Sequence, residues 1–359
     1  LVGVGGDQSA SDTRIPAVRR WLAILAVVVI VGVVGADILS SSTPPEHRKP
    51  AFPTSGVLFF GRVNLPGNAT ELHDFQRREA QLGRRYDGFM TYVGASGAMS
   101  NVESVIRADR TPYVILSWAT GPLPPTVIPG VAAGRYDARF TTLADFIKAR
   151  PATTFILRLF WEFNYTGSEW NDTHYGGNPA VFVAAWRRAV GIFRAKRVPN
   201  VLFDWNPIRV ASAASQDPRP YYPGNDFVDV IGTDAYPKNV QLSCYQLATT
   251  GVNGSDWYAE FSGKKYGKPL MFGEIGIQST DHYPAPRIDR SAWWRQCLAD
   301  LRRKLPAIRA FEYFDSQPSP NKPDWLADAP GSLAGDSGAQ AFRGYRAFAK
   351  SSYLDPLGR

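Results

Sequence analysis

From Gly56 onward the chain alternates eight short apolar runs with segments of helical period, and this alternation restricts the fold more than any other feature. The runs cover residues 56–60, 88–93, 113–118, 155–161, 201–205, 228–234, 270–274 and 310–314. Helical spacing appears over 71–82, 102–110, 139–149, 180–196, 256–266, 291–305 and 339–350; only the connection after the fifth run lacks it. Runs that are apolar at successive positions belong to strands buried on both faces, as in a parallel sheet covered by helices. Eight such units predict a (β/α)8 TIM barrel, an α/β fold whose strands present the loops at their carboxyl ends on one face. A doubly wound sheet is the competing architecture, and the count of eight favours closure.

The residues ahead of the barrel have a different character. Residues 1–20 show no apolar period and carry Arg14, Arg19 and Arg20, which predicts a disordered basic tail. Residues 21–36 are uncharged and apolar, and with residues 37–39 they reach the length of a transmembrane or signal-anchor helix, 21–39. The arginines before this segment predict a cytoplasmic amino end and a single-pass membrane protein with its barrel outside the cytoplasm. Cleavage near the small residues Val34, Gly35 and Ala36 is the alternative, and it would secrete the domain. Residues 40–53, rich in Ser, Pro and charge, read as a linker. The barrel domain then occupies residues 54–359.

Two of the apolar runs end in glutamate: Glu162 closes the fourth and Glu274 the seventh. In a barrel both lie where ligands bind. A carboxylate in a buried strand needs a partner, and period-two alternation names Arg158, four residues before Glu162, as the nearest candidate. Glu274 stands among glycines, which leave room for a ligand or another backbone. The fifth run ends in Asp204, Trp205 and Asn206, the sixth in Asp234 with Tyr236 after it, and the eighth in Tyr313 with Asp315. Two opposed carboxyls are the machinery of glycoside hydrolysis, one kept protonated for the leaving group and one kept ionised. Tyr236 is placed to donate a hydrogen bond to Glu274. Trp161, Trp205 and Tyr313 are candidate flat surfaces for sugar rings, against the plainer reading of aromatic core.

The ordered motifs Arg158-Leu-Phe-Trp-Glu-Phe-Asn164, Asn200-Val-Leu-Phe-Asp-Trp-Asn-Pro207 and Lys268-Pro-Leu-Met-Phe-Gly-Glu274 carry a family resemblance. So do the segments 178–188 and 222–236 and the sequence Gly134-Arg-Tyr-Asp137. Together they resemble glycoside hydrolase family 26, known mainly for endo-β-1,4-mannanases, over residues 134–314. The resemblance implies Glu162 as acid/base, Glu274 as nucleophile and Tyr236 as the nucleophile's hydrogen-bonding partner. Arg158, Trp161, Asn164, Trp205, Asn206, Asp234 and Tyr313 are then the expected substrate-binding residues. One departure stands out: the family's mannanases usually place histidine before the acid/base, and here Trp161 holds that position.

The function expected is a retaining glycoside hydrolase, endo-β-mannanase-like, acting on a β-linked polysaccharide. The alternatives are a non-catalytic carbohydrate-binding barrel at the cell surface and a glycosidase acting on a cell-envelope glycan. No cofactor is expected. The four histidines and two cysteines form no ligand pattern, which argues against a catalytic metal. The net charge of +8 is spread along helical faces, which argues against nucleic-acid binding. Cys244 falls in a loop after a strand and Cys297 in a helix, a placement that does not favour a bridge, although an exported domain permits one.

Overall fold

The eight apolar runs fold as eight parallel strands in a computed structural model of the chain. The structure describes residues 50, 52–63, 69–93, 99–118, 126–210, 214–236, 242–251, 255–278, 289–316, 325–328 and 337–358. The tail 1–20, the segment 21–39 and most of the linker lie outside these residues. Among the described residues no helix is long and apolar enough to cross a membrane. The strands are β1 (Leu58–Arg62), β2 (Gly88–Val93), β3 (Tyr113–Trp118), β4 (Thr154–Leu159), β5 (Val201–Trp205), β6 (Val230–Ala235), β7 (Leu270–Ile275) and β8 (Ile308–Tyr313). Each pairs with the next, and β8 pairs with β1 to close the barrel. The (β/α)8 expectation is borne out, and the doubly wound alternative is excluded.

The helices follow the sequence pattern with two additions: α1 (Ala69–Leu82), α2 (Met99–Asp109), α3 (Val127–Ala132), α4 (Asp137–Lys148), α5 (Pro179–Ala195), α6 (Cys244–Thr249), α7 (Trp257–Phe261), α8 (Arg290–Arg303) and α9 (Gly338–Ala349). Helices α3 and α6 are six residues each, too short for a period to develop in sequence. The helix expected over 256–266 stops after one turn and a half, where Ser262 and Gly263 follow Phe261. Among the described residues after β5 only 3-10 turns form, at Arg219–Tyr221 and Asn225–Phe227, as the missing period implies.

Helix α5 shows how the outer layer is held. Asn178 caps its first turn by accepting from the Ala180 amide at 3.0 Å, and Pro179 starts it without losing a hydrogen bond. Its buried stripe, Phe182, Ala185, Trp186, Ala189, Val190 and Phe193, recurs at helical spacing and packs on the barrel. Burying each large member of the stripe contributes about 1.5–3 kcal/mol. The Gly134-Arg-Tyr-Asp137 motif works in the same layer. Asp137 takes the Arg188 guanidinium of α5 at 2.8 and 2.6 Å, and a side chain at Gly134 would fall 2.3 Å from that guanidinium. Cys244 and Cys297 are joined in a disulfide, contrary to the sequence expectation. The segment read as loop is α6, which lays its first residue against α8.

Inside the barrel, alternate residues of the strands form a floor of Leu58, Phe60, Met90, Tyr113, Ile115, Ile156, Leu202, Val230, Met271 and Ala310. The next inward positions toward the carboxyl ends are polar.

Candidate active site

Strand register sets the polar layer. Tyr92 pairs with Ser117, Ser117 with Arg158, and Arg158 with Asp204, so one row crosses β2, β3, β4 and β5. On the far side Asp234 pairs with Glu274 after a register shift in which Gly273 is the extra residue of β7. The bulge turns Glu274 inward although Met271 already faces that way. A side chain at Gly273 would lie 2.1 Å from Asn206 Oδ1 and 2.9 Å from Asp234 Oδ1, so glycine is required there. Gly276 likewise admits Trp325 and Tyr236. The glycines around Glu274 make room for neighbouring side chains, not for a ligand or another backbone.

Arg158 is fully buried at the centre of this layer. Its Nη2 donates to both oxygens of Asp234, at 2.9 and 2.7 Å. Its Nη1 donates to Glu274 Oε1 at 3.0 Å and to Ser117 at 3.2 Å, and its Nε lies 3.7 Å from Asp204. The pairing of Arg158 with Glu162 expected from alternation does not form. Strand β4 ends at Leu159, and Phe160 and Glu162 both adopt left-handed backbone, φ 51° and 56°. The inward-outward parity therefore breaks before Glu162. Such conformations cost on the order of 1–3 kcal/mol each and persist where the surroundings impose them. Here the Glu162 amide donates to the Asn206 carbonyl at 2.8 Å, and Phe160 and Phe163 are buried on either side.

Glu274 is 4% exposed and ringed by donors. The Tyr236 hydroxyl donates to Oε2 at 2.7 Å, and the Tyr92 hydroxyl donates to Oε1 beside Arg158. Burial pushes this carboxyl up, but the charges of Arg158 and Arg62 and the two phenols outweigh burial and hold it below its ordinary value. Burial and the Glu274 charge push both phenols well above their ordinary range, which keeps them protonated as donors. Burial pushes the carboxyl of Glu312, fully buried on β8, the opposite way, well above its ordinary value. Glu274 is thus held below its ordinary value while burial pushes its neighbours Asp204, Asp234 and Glu312 up.

Asp204 gives a pH signature. Burial pushes it from 3.8 up to about 7, against the nearby Arg158 charge. Below about 4 both folded and unfolded chains keep this proton and its contribution to stability is fully present. Between about 4 and 7 the unfolded chain releases the proton while the folded chain retains it, so stability falls as pH rises. Denaturant unfolding should show Asp204→Asn losing a few kcal/mol of this decline between pH 4 and 7.5. An unchanged slope in the variant would contradict the buried, neutral carboxyl.

The other expected site residues separate into rim and scaffold. Trp161 is half-buried, 5.2 Å from the Tyr92 ring and 5.8 Å from Trp170, and forms an aromatic wall beside the glutamates. Asn164 is fully buried and its amide is spent on backbone: it donates to the carbonyls of Ile208 and Gln216 and accepts from the Ile208 amide. It ties the loop after β4 to the chain after β5 and does not face a substrate. Trp205 points outward into Phe163, Tyr222 and Phe261, with its Nε1 on the Tyr221 carbonyl. Tyr313 points outward into Trp294 and Tyr345. Both are core aromatics, so neither is a sugar platform. Asn206 and Asp234 are fully buried, Asp234 in register with Glu274 and held by Arg158. Asp315 binds Arg78 at 2.9 Å.

Sequence reading missed Tyr92, Arg62 and Glu312. The signal was parity: each lies two residues beyond a floor residue, Met90, Phe60 and Ala310. Because β4 and β7 run parallel in one closed barrel, Glu162 and Glu274, which follow or close their carboxyl ends, stand at the same end. Residues 140–288 match the model of glycosyl hydrolase family 26. That match, with the closed barrel, marks the chain as a glycoside hydrolase, and the matched stretch carries both glutamates and Tyr236. Among solved structures, the fold is similar to a family 26 β-mannanase from Bacteroides ovatus at 18% identity and TM-score 0.57, covering 83% of this chain and 90% of that one. It is also similar to the catalytic domain of a family 26 endo-β-1,4-mannanase from Bacillus sp. JAMB-750, at 17% identity and TM-score 0.60, covering 84% and 88%. A third likeness is a Bacillus subtilis mannanase, at 14% identity and TM-score 0.57, covering 82% and 86%. No protein of curated function matches the sequence.

Proposed function

We propose that this family 26 barrel is a retaining endo-glycosidase acting on a β-mannan-type polysaccharide, with Glu274 as nucleophile and Glu162 as acid/base. The observation that carries the reading is the setting of Glu274, held ionised by Arg158 and clamped by Tyr92 and Tyr236. In the first step a Glu274 oxygen attacks the anomeric carbon. The glycosidic bond breaks, its electron pair goes to the leaving oxygen, and the Glu162 carboxyl supplies that oxygen with a proton. In the second step Glu162, now a carboxylate, takes a proton from water, whose oxygen displaces Glu274. The hydrogen bonds to Glu274 hold its carboxylate in line for attack without reorganisation. A carbohydrate-binding barrel has no need of a carboxylate so arranged.

The mannan assignment draws on the activity of the structurally similar mannanases, and Trp161 in place of histidine is the residue that bears most on it. The test is a screen of soluble β-mannan, β-glucan and xylan with analysis of the products, using Glu162→Gln as the inactive control. Release of manno-oligosaccharides is expected; no release from any glycan would return the binding-module reading. The apolar segment 21–39 anchors the barrel on the outer side of a membrane in this proposal, supported by the preceding arginines and by a disulfide suited to an oxidising compartment. Recovery of the full chain in the soluble fraction of lysed cells would sink the anchor.

A further inference from the structure

The chain that carries Glu162 away from β4, residues 160–172, runs beside the chain that follows β5, and the two are fastened at Gln216. Gln216 Oε1 accepts from Asn171 Nδ2 at 2.7 Å and from the Tyr221 hydroxyl at 2.9 Å, and its Nε2 donates to Asp172 Oδ1 at 3.3 Å. Its backbone is tied to the same neighbour: the Gln216 amide donates to the Asn164 carbonyl at 2.7 Å, and the Gln216 carbonyl accepts from Asn164 Nδ2 at 3.0 Å. Beside it, Tyr165 forms an antiparallel bridge with Ser215, and the Thr166 amide donates to the Ala214 carbonyl at 2.8 Å.

The far ends of these bonds lie on the residues that follow Glu162. Asn171 is fully buried, and the Nδ2 that Gln216 orients also donates to the Phe163 carbonyl at 3.0 Å. Phe163 is thereby held through Asn171, and Asn164 is held by Gln216 directly. Glu162 itself has its amide on the Asn206 carbonyl at 2.8 Å and its carbonyl on the Tyr165 amide at 2.9 Å. Its φ of 56° and the 51° of Phe160 are left-handed, a region that residues with side chains leave unless their surroundings impose it. Released from Asn171 and Gln216, this segment has an easier backbone to relax into, and the Glu162 carboxyl travels with it. Proton delivery requires that carboxyl within hydrogen-bond reach of the leaving oxygen, and a displacement of about 1 Å costs about a hundredfold in rate.

We infer that Gln216 is a positioning residue for the acid/base: through Asn171 and Asn164 it fixes the backbone that aims Glu162, while touching no reacting atom. The inference rests on the role given to Glu162 in the proposed function. None of the Gln216 bonds above reaches Arg158, Tyr92 or Tyr236, which hold Glu274. Loss of Gln216 should therefore impair protonation of the leaving group and leave the attack by Glu274 intact.

Gln216→Met, made in the full chain, keeps the length of the side chain and removes its hydrogen bonds. Its kcat/KM on polysaccharide should fall about a hundredfold, whereas kcat/KM on aryl glycosides with good leaving groups should stay within about threefold of the parent. On those aryl glycosides kcat and KM should fall together, because the glycosyl-enzyme waits for its base. A loss of folded protein would instead lower kcat alike on both substrates and leave KM unchanged. Gln216→Glu combined with Asp172→Asn, in which acid and amide trade places, keeps the acceptor for Asn171 and Tyr221 and should recover most of the activity on polysaccharide. Hydrogen exchange gives a readout without turnover: amides over residues 160–172 should exchange about tenfold faster in Gln216→Met, with those of β4 unchanged. Unchanged exchange over 160–172, equal losses on the two substrates, or a loss that the exchanged pair does not relieve would each overturn the inference. Glu162→Ala run in parallel separates the two levels. If it too fails to distinguish the substrates, the acid/base reading falls and this inference with it; if it distinguishes them and Gln216→Met does not, only the role of Gln216 falls.

Discussion

Glu274→Ala is expected to abolish polysaccharide hydrolysis, with a loss of several orders of magnitude in kcat, because no other carboxylate can take its place. Asp234, Asp204 and Glu312, its neighbours in the polar layer, are fully buried, and burial pushes each of their carboxyls up. Glu162→Ala should behave differently. Its first step on aryl glycosides with good leaving groups should survive, since those groups depart with little protonation, while its action on polysaccharide fails. Added azide should restore turnover of the aryl glycosides by replacing the water that Glu162 activates. Tyr236→Phe removes one hydrogen bond to a charged group and should cost about 1.5–3 kcal/mol, or one to two orders of magnitude. Steady-state kinetics on the three variants separates these roles. Equal losses for Glu162→Ala on good and poor leaving groups would contradict the acid/base assignment.

Arg158→Met is expected to destabilise the folded barrel by about 3–5 kcal/mol at neutral pH, the usual cost of removing one partner from a buried ionic cluster. The guanidinium serves Asp234, Glu274 and Ser117 at once with no solvent exposure. Without it, these acidic groups face one another in a dry interior. Lysine fits the volume but offers a point charge in place of a fork, so Arg158→Lys should recover only part of the loss. Urea unfolding of the three proteins gives the comparison. A methionine variant within 1 kcal/mol of the parent would mean that the cluster carries little net charge, and the account of Glu274 as the poised anion would lose its main support.

The barrel was legible because parallel strands buried on both faces are written as unbroken apolar runs, and because α1, α4, α5, α8 and α9 are long enough to show their period. The two glutamates were legible for a related reason: each is a charge at the end of such a run. Side-chain direction was harder. In a strand with two buried faces, polarity does not reveal which face looks inward, so Trp205 and Tyr313 read as platforms although both point into the helical layer. Parity with Asp204 and Glu312, their inward neighbours, would have sorted them. The Arg158–Glu162 pairing failed because alternation was carried past Leu159, where two left-handed residues break it. Gly273 was read as space for a ligand, whereas the bulge it makes is what brings Glu274 inward beside Asp234. No local pattern announces a bulge, and none announces a network such as Tyr92, Arg158, Tyr236 and Glu274, whose members are far apart in sequence.

The central claim is that Glu274 attacks the anomeric carbon and is displaced in a second step. Proton NMR of the first product released from a β-mannan oligosaccharide tests it most directly. Two successive inversions predict that the newly formed reducing end appears first as the β-anomer and only later mutarotates toward the equilibrium mixture. First release of the α-anomer would mean a single displacement by water, and it would contradict the assignment of Glu274 as nucleophile even if both glutamates proved essential.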